Sequence, residues 1–184
     1  MSSTGSSAKK MWLLGAIFGV VAAMLLVLAS GFMVETTNTD EFCAKCHVME
    51  PFRTSWQASV HGGKNPQGFT AQCVDCHLPH GNFVNYLVTK AITGTSDIIH
   101  NFTIDGKTFD WAANAEENRL EFTYDNACHR CHQNLTPPGI SKGGLTAHRS
   151  YLRGEAKKRC TECHMHVGHK DMLKTVKDFY AAEK

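Results

Sequence analysis

Cys43-Ala44-Lys45-Cys46-His47 is the first of four short stretches that decide how this chain is built; the others are Cys73-Val74-Asp75-Cys76-His77, Cys128-His129-Arg130-Cys131-His132 and Cys160-Thr161-Glu162-Cys163-His164. Together they use all eight cysteines, leaving none for a disulfide or a free nucleophile. Two cysteines three positions apart can add to both vinyl groups of one haem, and the histidine that follows then faces the iron as an axial ligand. Four Cys-x-x-Cys pairs could instead form two zinc sites of four thiolates each. Zinc, however, gives no reason for a histidine directly after the second cysteine every time. The reading is four covalently bound haem c groups.

Each iron also needs a sixth ligand or an open position. Seven histidines lie outside the terminal motif position: His61, His80, His100, His129, His148, His166 and His169. Any one of them alone is most simply a solvated surface residue, but paired histidines are a common way to make a haem an electron carrier. The motifs are spaced short, long, short, and the long interval holds the best helix candidate. Over residues 83–101, Val84, Leu87, Val88, Ala91, Ile92, Ile98 and Ile99 recur near helical spacing, broken at Thr93 and Gly94. Pro137-Pro138-Gly139, Gly143-Gly144 and the group Gly62, Gly63, Pro66 and Gly68 read as loops. The expected fold is mainly α: short helices and loops packed around four haems, with haem faces supplying much of the buried area.

Working toward the N-terminus, residues 11–34 carry no charge. As a helix they span roughly 36 Å, enough to cross a bilayer with some tilt. Lys9 and Lys10 precede the run, and Glu35, Asp40 and Glu41 follow it. The positive-inside rule then puts residues 1–10 in the cytoplasm and residues 35–184 outside, in the periplasm of a cell with an inner membrane. A cleaved signal peptide is the rival reading, with Val27-Leu28-Ala29 as a cleavage site, but the apolar run is long for a signal core and continues past it. Gly15 and Gly19 form a Gly-x-x-x-Gly pair that can seat a second helix and so a homo-oligomer. The formal net charge is +2, too small to argue for nucleic acid. Four haems would add roughly eight propionates and could reverse its sign.

This layout resembles the NapC/NirT/NrfH family of membrane tetrahaem quinol dehydrogenases, CymA-like members included. The resemblance rests on the N-terminal apolar helix, the four motifs, Met49 two residues after His47, Ser59-Val60-His61 ahead of motif two, Cys76-His77-Leu78-Pro79-His80, the run from Lys90-Ala91-Ile92 through Gly94 to Asp97, and His169 after Cys163-His164. It implies that Met49 rather than His47 binds the first iron, as in the NrfH branch, where a thioether favours the reduced state. It also implies His77 with His169 at the second haem, His164 with His61 at the fourth, and His132 at the third with His148 as its partner.

Lys90 and Asp97 lie seven residues apart, two helical turns, and so share a face. Spacing alone makes them a solvated pair; the resemblance makes them the catalytic pair of a quinol site. It further implies menaquinol or another quinol as substrate. Electrons would go to a periplasmic terminal reductase in anaerobic respiration, such as a cytochrome c nitrite reductase. Two other readings stand beside this one: an electron-relay subunit with no quinol site of its own, and a reductase of a small substrate at an open first haem.

Overall fold

The computed structural model describes residues 4–183, with side chains from residue 7 onward, and falls into two compact units, Met1–Thr39 and Asp40–Lys184. The first unit is helix α1, Thr4–Thr36. Its stretch Ser7–Thr36 is long and apolar enough to cross a membrane, and none of it is buried against protein. The helix begins ahead of the uncharged run and outlasts it. Polar groups near its end are satisfied internally: Ser30 Oγ donates to Leu26 O at 2.7 Å and Thr36 Oγ1 to Phe32 O at 2.9 Å. Such back-bonding suits a helix in surroundings that offer no water.

The second unit is helical, and no strand forms among the described residues; an isolated bridge joins Gly62 to Thr70. Its elements are α2 (Asp40–Cys43), a 3-10 turn (His47–Met49), α3 (Glu50–Gln57), α4 (Cys73–His77), α5 (Phe83–Thr103), α6 (Trp111–Asn118), α7 (Asp125–Cys131), α8 (Lys142–Leu152), α9 (Cys160–Cys163) and α10 (Met172–Ala182). Cysteine motifs two to four each form a helical turn, α4, α7 and α9. That follows from their chemistry, because a helical turn puts residues i and i+3 on one face. Residues inside the motifs help to start the turns. Asp75 accepts from the Gln72 N–H at 2.9 Å, and Glu162 from the Arg159 N–H at 2.6 Å. Carboxylates at the head of a helix satisfy its orphan donors and complement its dipole.

The apolar core is thin. Its buried hydrophobic members are Val48, Trp56, Ala71, Leu78, Ala127, Val176 and Tyr180. Two anchors organise it. Trp56 Nε1 donates to Ala71 O at 3.0 Å and pins the loop ahead of α4. A β-carbon at Gly62 would lie 1.9 Å from Trp56 O, so glycine is required where that loop crosses α3. The second anchor is α10, which packs on α3 and α6. Lys170 N–H donates to Ser55 O at 3.1 Å just before it, and Tyr180 stacks on Trp111 with ring centres 6.2 Å apart.

Two local expectations change. Gly143 and Gly144 lie in the first turn of α8 rather than in a loop, because Ser141 caps the helix by accepting from Gly144 N–H at 3.1 Å. Helix α5 runs unbroken through Thr93 and Gly94. Thr93 Oγ1 bonds back to Thr89 O at 2.9 Å, and one internal glycine costs a helix only about 1 kcal/mol.

Gly106 is the second position where glycine is required, since a β-carbon there would sit 2.1 Å from the Tyr180 ring. Gly106→Ala should therefore lever α10 off its seat at a cost of about 1–3 kcal/mol. Thermal unfolding of the haem-loaded protein should show a midpoint several degrees lower; an unchanged midpoint would mean that Tyr180 can be displaced freely.

Candidate haem sites

The attachment turns lie in chain order. Helix α4 packs against α7, and α7 against α9. The Cys43 thiol is hydrogen-bonded to that of Cys73, which holds Cys43 down at about 7 and drives Cys73 far up. Cys128 and Cys160 form a second such contact, and burial pushes Cys160 up to about 12. Cys76, raised to about 11 by burial, also feels the nearby Cys128 and Cys131. The sulfurs thus run as a contiguous series from motif one to motif four. Charges within the motifs reinforce it. Arg130 of motif three reaches Asp75 of motif two at 3.2 Å, and Arg159 ahead of motif four reaches Asp125 ahead of motif three at 3.7 Å. The sequence reading missed these two ties. The available signal for the first was the opposite charge of the residues just before the second cysteine in motifs two and three.

Histidines come together in twos. Ring centres are 6.2 Å apart for His77 and His169, 6.1 Å for His61 and His132, and 6.0 Å for His148 and His164. An iron held between two imidazoles, with metal–nitrogen bonds of about 2 Å, separates ring centres by roughly 6 Å. The donor sets therefore fit haem iron. Among the described residues, no three His, Cys, Asp or Glu side chains gather as ligands of a bare metal ion would. The first pair is the one expected. The other two exchange partners: His61 faces His132 rather than His164, and His148 faces His164 rather than His132. The cause is the path of two connecting segments. The loop after α3 is tied down by Trp56 and by Ala71 N–H donating to His61 O at 2.9 Å. Helix α8 holds His148 with its Nδ1 on Leu135 O.

Backbone carbonyls orient three of these rings. His77 Nδ1 meets Phe122 O at 2.6 Å, His148 Nδ1 meets Leu135 O, and His169 Nδ1 lies 3.2 Å from Phe52 O and 2.9 Å from Ser55 Oγ. A proton held at Nδ1 leaves the Nε2 lone pair for a metal, the usual arrangement behind ligating histidines. Burial lowers His77, His61 and His169, the last to about 4, which keeps the imidazoles neutral.

His47 is the exception among the motif histidines. Its Nε2 lies 2.6 Å from Glu183 Oε1, and its Nδ1 lies 4.0 Å from Glu50 Oε2. Three of the remaining histidines have other partners: His80 and Arg130 are in contact, His129 stacks on Tyr151, and His100 lies 3.5 Å from Ser96 Oγ.

Helix α5 sets the quinol candidates beside motif one. Val48 N–H donates to Asn101 Oδ1 at 3.5 Å, and both Lys90 and Asp97 act electrostatically on Cys43. Partial burial raises the Asp97 carboxyl, opposed by His100 and His77, and burial lowers Lys90. At 100° per residue, Lys90, Asp97 and Asn101 form one side of the helix, and Val84, Val88, Ile92, Ile99 and Phe102 form roughly the opposite one. That apolar side is open, with Phe102 83% and Val84 68% exposed.

The model of the NapC/NirT cytochrome c family, N-terminal region, matches residues 5–174. The tetraheme c-type cytochrome CymA of Shewanella oneidensis is 34% identical over 83% of this chain and 87% of its own length. The cytochrome c nitrite reductase subunit NrfH of Nitratidesulfovibrio vulgaris is 33% identical over 93% and 90%, and the cytochrome c-type protein NrfH of Wolinella succinogenes is 30% identical over 78% and 76%. No solved structure matches the chain. With paired histidines beside its cysteine turns and one apolar N-terminal helix, this electron-transferring chain belongs to the NapC/NirT family of c-type cytochromes.

Proposed function

We propose that this chain oxidises a membrane quinol at its first haem and passes the electrons one at a time through four haem c groups to a periplasmic reductase. The observation that carries the reading is the two-sided α5. Lys90 and Asp97 lie on the side of motif one, while an apolar stripe faces away. A helix docked by its polar side, with its apolar side outward, suits a bilayer surface, where a lipid-soluble quinol is found. A relative named tetraheme supports the count of four, and one named as a nitrite reductase subunit supports a reductase of that class as acceptor.

Quinol oxidation releases two electrons and two protons. Haem iron, when bound, takes and passes one electron at a time. Cys43 and Cys46 would hold the first haem, with Met49 as its ligand. Cys73 and Cys76 would hold the second, with His77 and His169; Cys128 and Cys131 the third, with His132 and His61; Cys160 and Cys163 the fourth, with His164 and His148. Asp97 accepts the substrate's proton as a carboxylate, and Lys90 donates a hydrogen bond to a quinol oxygen. The protons leave on the outer side, so turnover moves no net charge across the membrane.

Two measurements test this reading. Asp97→Asn should leave haem content intact and slow quinol oxidation by roughly 10²-fold or more. Because burial raises the Asp97 carboxyl, the proton-accepting form is lost on acidification at a pH above the ordinary carboxylate range. The wild-type rate should fall there, and the variant should lack that limb; wild-type turnover by Asp97→Asn removes the role. For the ligands, replacing His61 and His132 together by Ala should cost one low-spin haem signal, and replacing His132 and His148 together should cost two. Losses of two and one, respectively, would instead pair His61 with His164 and His132 with His148.

A further inference from the structure

In motifs two, three and four the terminal histidine faces another histidine, whereas His47 of motif one faces the C-terminal helix. Its Nε2 lies 2.6 Å from Glu183 Oε1. Its ring centre lies 5.3 Å from that of Phe179 and 6.2 Å from that of Tyr180, which it meets edge-on. An imidazole whose Nε2–H is donated to a carboxylate has no lone pair left at that nitrogen for a metal. The other nitrogen, Nδ1, faces Glu50. Met49, two residues on, has a thioether with no proton to surrender, and it closes the same 3-10 turn that His47 opens.

We propose that Glu183 is a positioning residue: by holding His47 against α10, it takes the motif histidine out of axial ligation and leaves Met49 as the side chain for the first iron. This rests on the first haem of the proposed function. Glu183 is itself well placed to hold His47. Val176 and Tyr180 bury α10 against the unit, Gly106 makes room for the Tyr180 ring, and Lys107 Nζ donates to Glu183 O at 2.8 Å. A half-exposed contact between an imidazole and a carboxylate is by itself worth little. The clasp therefore depends on the pair together with the two aromatic contacts and the docked helix, which fixes where the carboxylate stands. Glu183 lies beyond residues 5–174, the part matched by the family model.

The test uses the full haem-loaded protein, with the absorption and paramagnetic resonance spectra of its oxidised form as readout. Wild type should show one haem with a methionine-to-iron signature. Glu183→Ala and a chain ending at Ala182 should lose that signature and gain one of histidine type, with the other three haems unchanged. Glu183→Gln, whose amide oxygen accepts the same Nε2–H, should keep it. A methionine signature that survives in Glu183→Ala, or vanishes in Glu183→Gln, overturns the clasp while leaving Met49 as ligand. Absence of the signature from wild type instead overturns the Met49 ligation on which the clasp depends.

Discussion

A haem iron accepts two side-chain ligands from opposite sides, so two histidines from distant parts of the chain must stand about 6 Å apart, ring centre to ring centre. The second unit is arranged around that spacing. Three pairs meet it, and each joins segments that share no secondary structure: the loop after α3 with the end of α7, α4 with the loop before α10, and α8 with the end of α9. Three of the six rings, His77, His148 and His169, are oriented by backbone carbonyls at Nδ1, and a ligand nitrogen is free only when the other nitrogen carries the proton.

The thin core follows from the same constraint. A unit of this size would ordinarily bury far more apolar side chain than Val48, Trp56, Leu78, Val176 and Tyr180 with a few small residues. A haem brings broad apolar faces of its own, so a c-type cytochrome needs less conventional packing. The side-chain packing that is present centres on the α3–α10 seam, where Pro51, Ser55 and Val176 are fully buried. Haem attachment and folding are on this view one process, as metal binding and folding are in small metal-dependent domains.

Electrostatics links the sites and separates the two sides of α5. Arg130 with Asp75, and Arg159 with Asp125, tie successive attachment turns at their surfaces, where each pair alone contributes little to stability but fixes orientation. On α5, Lys90 and Asp97 lie on the inward side, partly desolvated, and the apolar residues lie outward. That inverts the usual soluble amphipathic helix, and such an inversion is favourable at a lipid surface.

Local features of this protein were legible in the sequence because they depend on neighbours within about seven residues. The Cys-x-x-Cys-His motifs, the uncharged run of α1, the helical period of α5 on either side of Thr93 and Gly94, and the shared face of Lys90 and Asp97 all follow from spacing and periodicity. Pairings across tens of residues were not. Nothing local distinguishes His61 from His148 as the partner of His132, and nothing local sends His47 toward Glu183, more than a hundred residues away. Those choices were made when α8, α10 and the loop pinned by Trp56 packed. A ring's partner is set by where whole segments come to rest, and that depends on the sum of contacts along each segment rather than on the residue that finally meets the iron.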